Sequence, residues 1–195
     1  MANLLYNSNY ELRPVLAFMF KSSHFYESKF IGCKVKSPID LTIGTLKSLG
    51  VSNPDFNYLA DMLRQLQQSL FNPPNVKGWE GQRKWISAAT YPARQALTDS
   101  FINGKRWSGQ SIKFQVDSLA YARSFSSSEN AAALVNDICL HLIRYPLSSS
   151  KKTFLLNTLL DGSSPSEWST NNPMAGKRIS NCLIALMRLP EYQLC

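Results

Sequence analysis

The stretch 71–85 combines residue types that can bind a ligand together. Trp79 and Trp85 carry flat apolar rings, and charged side chains surround them in the sequence. A tryptophan ring can stack on a sugar ring or a nucleobase, while a nearby cation neutralises an anionic group. The sequence therefore gives one candidate ligand-binding set, which consists of Lys77, Trp79, Glu80, Arg83 and Trp85.

The backbone of the same stretch is set by proline and glycine. Two prolines restrict φ, and two glycines allow positive φ or a close approach of another group. The residues expected to shape the loop are Pro73, Pro74, Asn75, Gly78 and Gly81. A structural alternative explains the same residues, because large aromatic side chains beside a helix start usually anchor a loop. We favour that alternative, in which both tryptophans plug the end of a helix bundle, and keep the loop as the best candidate site.

Elsewhere the sequence lacks the spacing of known catalytic or metal sites. His24 lies in a break after a helix, and His141 lies on an apolar helix, so we expect loop packing and an edge-of-core position for them. No GxSxG, HExxH or GxxxxGK[ST] motif occurs. The four cysteines show no CxxC or CxC spacing, and their disulfide state is left open: Cys33, Cys139, Cys182 and Cys195. The sequence predicts no catalytic residue, no metal site and no cofactor.

The chain carries a net charge of +8, from 21 Lys and Arg against 13 Asp and Glu. Such a charge favours an acidic partner, for example an acidic polysaccharide or nucleic acid. The basic residues are scattered in short pairs, however, and we prefer a solvated basic surface to a nucleic-acid site. No apolar run approaches the roughly 20 residues that span a bilayer, so no membrane-spanning segment is expected.

Apolar residues spaced by three and four predict an all-α fold. We expect an irregular multi-helix bundle interrupted by one Pro/Gly/Trp-rich loop. Ser37, Pro38 and Asp40 are typical of a helix start, and Gly50 of a helix end. Pro92 should kink or divide a long helix. The helices are expected at about 10–21, 38–49, 54–70, 83–101, 129–144, 150–160 and 173–189.

The least regular part of the chain is the segment 102–128. Ile112, Phe114 and Val116 alternate with polar residues and allow one short strand pair. We expect a single helical domain over 1–195, with sub-lobes 1–105 and 126–195 as an alternative arrangement.

The candidate loop also carries a family resemblance. Residues 70–79 read LFNPPNVKGW, followed by Gly81 and by Trp85-Ile86, and this resembles the signature of a bacterial family catalogued as domain of unknown function 1800. The family commonly shows a second glycine where this chain has Gln82. Three further stretches are similar to the family in the same order: 10–30, 34–38 and 189–194.

The resemblance implies no established activity and no accepted catalytic residues. Family members are usually longer, with an N-terminal helical half, so the chain resembles the C-terminal part of such a protein. Members often carry export signals, which would place the parent in the periplasm or outside the cell. The missing N-terminal region is then itself an expected partner.

Three functions are compatible with these features. The leading hypothesis is a non-catalytic helical binding or assembly module of an exported bacterial protein, with a polysaccharide or another acidic partner. The alternative is the C-terminal half of an enzyme, a hydrolase acting on envelope or extracellular polymer. A nucleic-acid binder comes third, supported by net charge alone.

Overall fold

The fold is all-α, as predicted. The computed structural model describes residues 1–106 and 108–195. The described residues form nine α-helices, short 3₁₀ turns, two isolated β-bridges and no sheet. The helices are α1 (Ala2–Asn7), α2 (Leu12–Lys21), α3 (Pro38–Ser48), α4 (Phe56–Gln65), α5 (Thr90–Asn103), α6 (Ser118–Arg123), α7 (Ala131–Leu142), α8 (Ser149–Leu160) and α9 (Ala175–Met187).

The chain divides into two compact units, Met1–Cys33 and Lys34–Cys195. In the first unit α1 packs on α2, and no side chain is buried. Aromatic rings make most of its close contacts, including the edge-to-face pairs Tyr6–Tyr10 and Phe20–Phe25. This unit is therefore held by partly exposed aromatic contacts and has no closed core.

The second unit has one continuous hydrophobic core. Helix α9 lies at its centre and packs against α5, α6 and α8, while α3 packs against α5 and α7. The apolar face of α9 is fully buried at Ile179, Leu183 and Leu186. The expectation of one helical domain, with sub-lobes 1–105 and 126–195 as its alternative, stays a prediction.

Helix α3 starts as its sequence indicates. The Asp40 backbone N–H donates to Ser37 Oγ at 3.2 Å, and the Ser37 N–H donates to Asp40 Oδ2 at 3.1 Å. These two bonds form a capping box, which satisfies two N–H groups that have no partner inside the helix. Gly50 follows the helix with φ of +71°, as a C-terminal glycine should.

Helix α4 is shorter than its apolar pattern predicts. It ends at Gln65, because Gln67 takes a left-handed φ of +67° and the Gln68 N–H bonds back to the Leu63 carbonyl at 2.8 Å. Among the apolar residues spaced by three and four over the predicted range 54–70, Leu59, Leu63 and Leu66 are buried, whereas Phe56 and Leu70 are exposed.

The helix predicted over 83–101 is divided. A 3₁₀ turn covers Gln82–Trp85, and α5 begins at Thr90, so Pro92 lies in its first turn, where the backbone N–H needs no helical partner. The possible strand at 112–116 is an irregular segment, in which Ile112 and Val116 are buried. Its nearest β pairing is the isolated bridge between Lys105 and Ser111.

Candidate functional site

The candidate loop joins α4 to α5 and is built on a sequence of tight turns. Asn75 makes the first turn: its side-chain Oδ1 accepts the Lys77 N–H at 2.9 Å, and its carbonyl accepts the Gly78 N–H at 3.0 Å. Gly78 has φ of +85°, where a residue with a Cβ is strained. The two prolines, Pro73 and Pro74, precede this turn and are exposed.

A second turn follows within six residues. Gly81 and Gln82 both have left-handed φ values, +71° and +54°, and the Lys84 N–H donates to the Gly81 carbonyl at 3.2 Å. These two backbone conformations set the direction in which the chain enters the 3₁₀ turn Gln82–Trp85. Gln82 is notable because a side chain rarely adopts this conformation.

Trp85 is the anchor of the loop. Its side chain is 8% exposed, and its carbonyl accepts the Thr90 Oγ1 hydroxyl at 2.9 Å. Thr90 and Ser87 also exchange backbone-to-side-chain bonds at 2.9 and 3.0 Å, which hold the end of the loop to the first residue of α5. The Trp85 ring is thus packed into the protein and offers almost no face to a ligand.

The other members of the predicted set are accessible. Trp79 is half-buried, and Lys77 and Arg83 are exposed. Glu80 forms an ion pair with Lys84 four residues later, so the loop's carboxylate already has a cation. Within the part of the chain that the structure describes, Lys77 and Arg83 contact no carboxylate. The accessible set is therefore one partly exposed indole with two unneutralised cations.

The two tryptophans consequently differ in environment. If both tryptophans anchored the loop, both side chains would be buried. Trp85 is buried, whereas Trp79 is partly exposed to solvent. Phe71 at the start of the loop is completely exposed, with φ of +59°, and adds apolar surface that the sequence-based set did not include. Phe71 could have been identified from the sequence, because it immediately precedes the Asn-Pro-Pro segment that opens the loop.

A groove between α4 and α5 was not predicted from the sequence. It has a volume of about 620 Å³, and Tyr58 and Met62 line its apolar part. Arg106 lies 4.8 Å from the centre of the Tyr58 ring and 3.8 Å from Asp61. The Tyr58 hydroxyl donates to Ser100 Oγ at 2.8 Å, and burial raises the Tyr58 pKa. The spacing of residues in the sequence could not reveal this groove, because Arg106 lies in a segment that is distant in sequence from α4.

Packing contacts account for the positions of His141 and of the two buried cysteines. His141 is exposed at the end of α7, with Nε2 3.1 Å from the Ser48 carbonyl and its ring against Phe125. All four cysteines are free thiols. Cys139 and Cys182 are buried, and burial raises their pKa values to about 11 and about 12. These two thiols are poor nucleophiles at neutral pH, because almost no thiolate is present.

The helices are too short or too polar to cross a membrane. Among residues 1–106 and 108–195, no helix combines the length and the apolarity that crossing requires.

The chain is similar to one protein family along nearly its whole length. No curated protein and no solved structure matches the chain significantly. The family described as "Protein of unknown function (DUF1800)" matches residues 1–194. Because this match spans nearly the whole sequence, the chain belongs to that family.

Proposed function

We propose that the chain is a non-catalytic binding module of an exported bacterial protein, and that the loop 71–86 binds an acidic polysaccharide. The observation that supports this proposal is the accessible set in the loop: Trp79 is half-buried, and Lys77 and Arg83 are exposed without a carboxylate contact. A sugar ring stacks on an indole face, and its carboxylate or sulfate groups pair with cations.

The backbone of the loop favours binding, since its turns are already formed. The bonds within 75–78 and 81–86 join residues of the loop to one another. Buried Trp85 ties its far end to α5. A loop that is ordered beforehand loses less conformational entropy when it binds, so more of the contact energy contributes to affinity.

The export of the parent protein rests on the family resemblance. It is tested on the parent protein. Secretion of a reporter fused to the parent's own N-terminus supports export, and retention of that reporter in the cytoplasm contradicts it.

Binding is tested by electrophoresis through gels that contain polygalacturonate. We expect the chain to be retarded, and Trp79→Ala to lose most of that retardation, because stacking on one aromatic ring contributes about 1–2 kcal/mol. The matched control is Phe154→Ala, which removes an aromatic side chain that is exposed on α8. Equal retardation of all three proteins would exclude the loop as the binding site.

The cations are tested separately. Lys77→Met and Arg83→Met should each reduce retardation, whereas Lys177→Met, which removes one exposed charge from α9, should not. If all three variants lose retardation equally, net charge rather than the loop explains binding, and the proposal is wrong. A gel that contains neutral dextran separates the contribution of ion pairing from that of ring stacking, because dextran carries no charge and only stacking can retard the protein.

A further inference from the structure

A second basic site lies away from the candidate loop. A cavity of about 500 Å³ is bounded by α3, by the end of α7 and by the pairing of 34–36 with 193–195. Apolar side chains that include Ile43 and Leu142 line part of it. Its basic side chains are Lys34, Lys36, Lys47, His141 and Arg144.

The basic side chains of this cavity outnumber its carboxylates. Asp40 is the only carboxylate side chain in the lining, and it is already engaged. Its Oδ2 accepts the Ser37 N–H at 3.1 Å and the Lys34 ammonium at 3.3 Å. Within the described part of the chain, Lys47 and Arg144 form no ion pair, whereas Cys195, which also lines the cavity, acts to raise the pKa of Lys36. The charges of Lys47 and Arg144 are therefore available to an anion.

Buried positive charge adds to the potential of this cavity. Lys36 Nζ lies 4.0 Å from the centre of the Tyr192 ring, which is itself fixed by a 2.6 Å bond between its hydroxyl and Thr45. Behind Lys36, the fully buried Arg94 donates to the Lys36 carbonyl and to Gln193 Oε1, both at 2.7 Å.

The Arg94 charge is not compensated by a contacting group. Its Nη1 atom has no hydrogen-bond partner among the described residues, and no carboxylate contacts the guanidinium. A buried cation without an anion is costly, and an anion bound nearby would lower that cost. This buried charge and the unneutralised cations of the cavity both point to an anionic ligand.

Gly44 keeps the cavity open. It lies within α3 and lines the cavity, and a Cβ built on it would have no other group within 4 Å. Glycine inside a helix costs about 1 kcal/mol relative to alanine, and no tight packing explains its presence here. A Cβ at this position would therefore lie in open space at the lining of the cavity.

We propose that this cavity binds a phosphate group carried on a small apolar body. A phosphate dianion matches several unneutralised cations better than a single carboxylate does, and the Arg144 guanidinium can bind two of its oxygens together. The apolar lining at Ile43 and Leu142 would contact the remainder of the ligand. This site goes beyond the proposed polysaccharide binding and is independent of the loop.

Isothermal titration of the whole chain in a phosphate-free buffer tests the proposal, with phenyl phosphate, inorganic phosphate and benzoate as probes. Phenyl phosphate should bind about tenfold more tightly than either other probe, since only phenyl phosphate combines a dianion with an apolar ring. Equal affinity of phenyl phosphate and inorganic phosphate would contradict the use of the apolar lining. Absence of phenyl phosphate binding up to about 10 mM would overturn the proposal.

Three variants locate the binding. Arg144→Gln and Lys36→Met should each weaken phenyl phosphate binding by about tenfold, and Gly44→Gln should abolish it. Gly44→Gln should unfold at or above the wild-type temperature, because it replaces a helical glycine by a better helix former. A Gly44→Gln protein that is folded and binds with unchanged affinity would refute the site.

Two control variants test whether phenyl phosphate binds to another part of the protein surface. Lys177→Met tests for a net-charge effect, and Trp79→Ala tests for binding at the loop. Both should bind phenyl phosphate within about twofold of the wild type. Loss of phosphate binding in Trp79→Ala would place the anion at the loop and contradict the cavity, while leaving the polysaccharide proposal intact.

Discussion

Gln82 adopts a backbone conformation that glycine adopts at lower cost. Its φ is +54°, and family resemblance leads us to expect a glycine at this position. A left-handed residue with a Cβ costs roughly 1–2 kcal/mol, while glycine loses more conformational entropy on folding. We therefore expect Gln82→Gly to raise the free energy of unfolding by about 0.5–1 kcal/mol, measured by chemical denaturation.

Gln65 provides the matched control for this change. It is the last residue of α4 and has an ordinary helical backbone, so Gln65→Gly should lower the free energy of unfolding by about 1 kcal/mol. If both variants are destabilised alike, the left-handed conformation of Gln82 is not a source of strain.

Lys36 should also reduce stability at neutral pH. Burial lowers its pKa from 10.5 to about 8; Arg94 and Arg144 act in the same direction, while Cys195 and Asp40 oppose them. The folded state therefore binds fewer protons than the unfolded state between about pH 8 and 10.5, so stability rises with pH across that window. Below pH 8 both states are protonated, and the full cost of burying the charge remains.

Lys36→Met removes that cost. At pH 7 we expect the variant to be more stable than the wild type by about 1–2 kcal/mol, after allowing for the lost contact with the Tyr192 ring. The difference should shrink as pH rises above 8 and be nearly absent at pH 10.5. Paired denaturation curves at pH 7 and pH 10 measure it, and a difference that is independent of pH would contradict the lowered pKa.

At the scale of elements, most predicted helix bounds lie within about two residues of the observed ones, and the exceptions are the end of α4 and the start of α5. The α3 cap was predictable because Ser37 and Asp40 form a capping box through local bonds alone. The early end of α4 was not, because it depends on Gln67, a residue that rarely takes a positive φ. The short helix α6 was also missed, since its six residues show less than two turns of apolar periodicity.

The sequence predicted which residues shape the candidate loop, but not how exposed each of its side chains is. Its turns follow from Asn75, Gly78 and Gly81, whose conformational preferences are local. The different burial of Trp79 and Trp85 depends on how the loop packs against the rest of the second unit, and the local sequence cannot reveal that. The basic cavity was missed for the same reason, because α3, α7 and the segment 193–195 are distant in sequence.

The two tryptophans should therefore respond differently to truncation. Trp85→Ala should lower the free energy of unfolding by about 3 kcal/mol, because it removes a large side chain from a buried position. Trp79→Ala, at a half-buried position, should cost about 1 kcal/mol. Guanidinium denaturation of both variants measures the contrast. Equal losses would mean that Trp79 is a structural anchor as well.

At the scale of the whole molecule, the second unit should fold without the first. Its core is made entirely of residues between Leu41 and Tyr192, whereas the Met1–Cys33 unit buries no side chain. A 33-residue segment without a closed core is too small to be stable by itself. We expect residues 34–195 alone to unfold cooperatively, within a few degrees of the full chain, in thermal melts followed by circular dichroism.

The corresponding peptide 1–33 should show little helix in water. A broad, non-cooperative melt of residues 34–195 would contradict the division into units. A stably helical peptide would contradict the inference that a 33-residue unit without a buried side chain is not stable by itself.

The central claim is that Trp79, with Lys77 and Arg83, binds an acidic polysaccharide. Its most direct test is the dissociation constant of a polygalacturonate oligosaccharide, measured by isothermal titration for the wild type and for Trp79→Ala at low and high sodium chloride. Salt should weaken both proteins' binding, because the ion pairs are screened, while the ratio of their affinities stays near tenfold, since stacking is not screened. Equal affinities of the two proteins at both salt concentrations would contradict the claim.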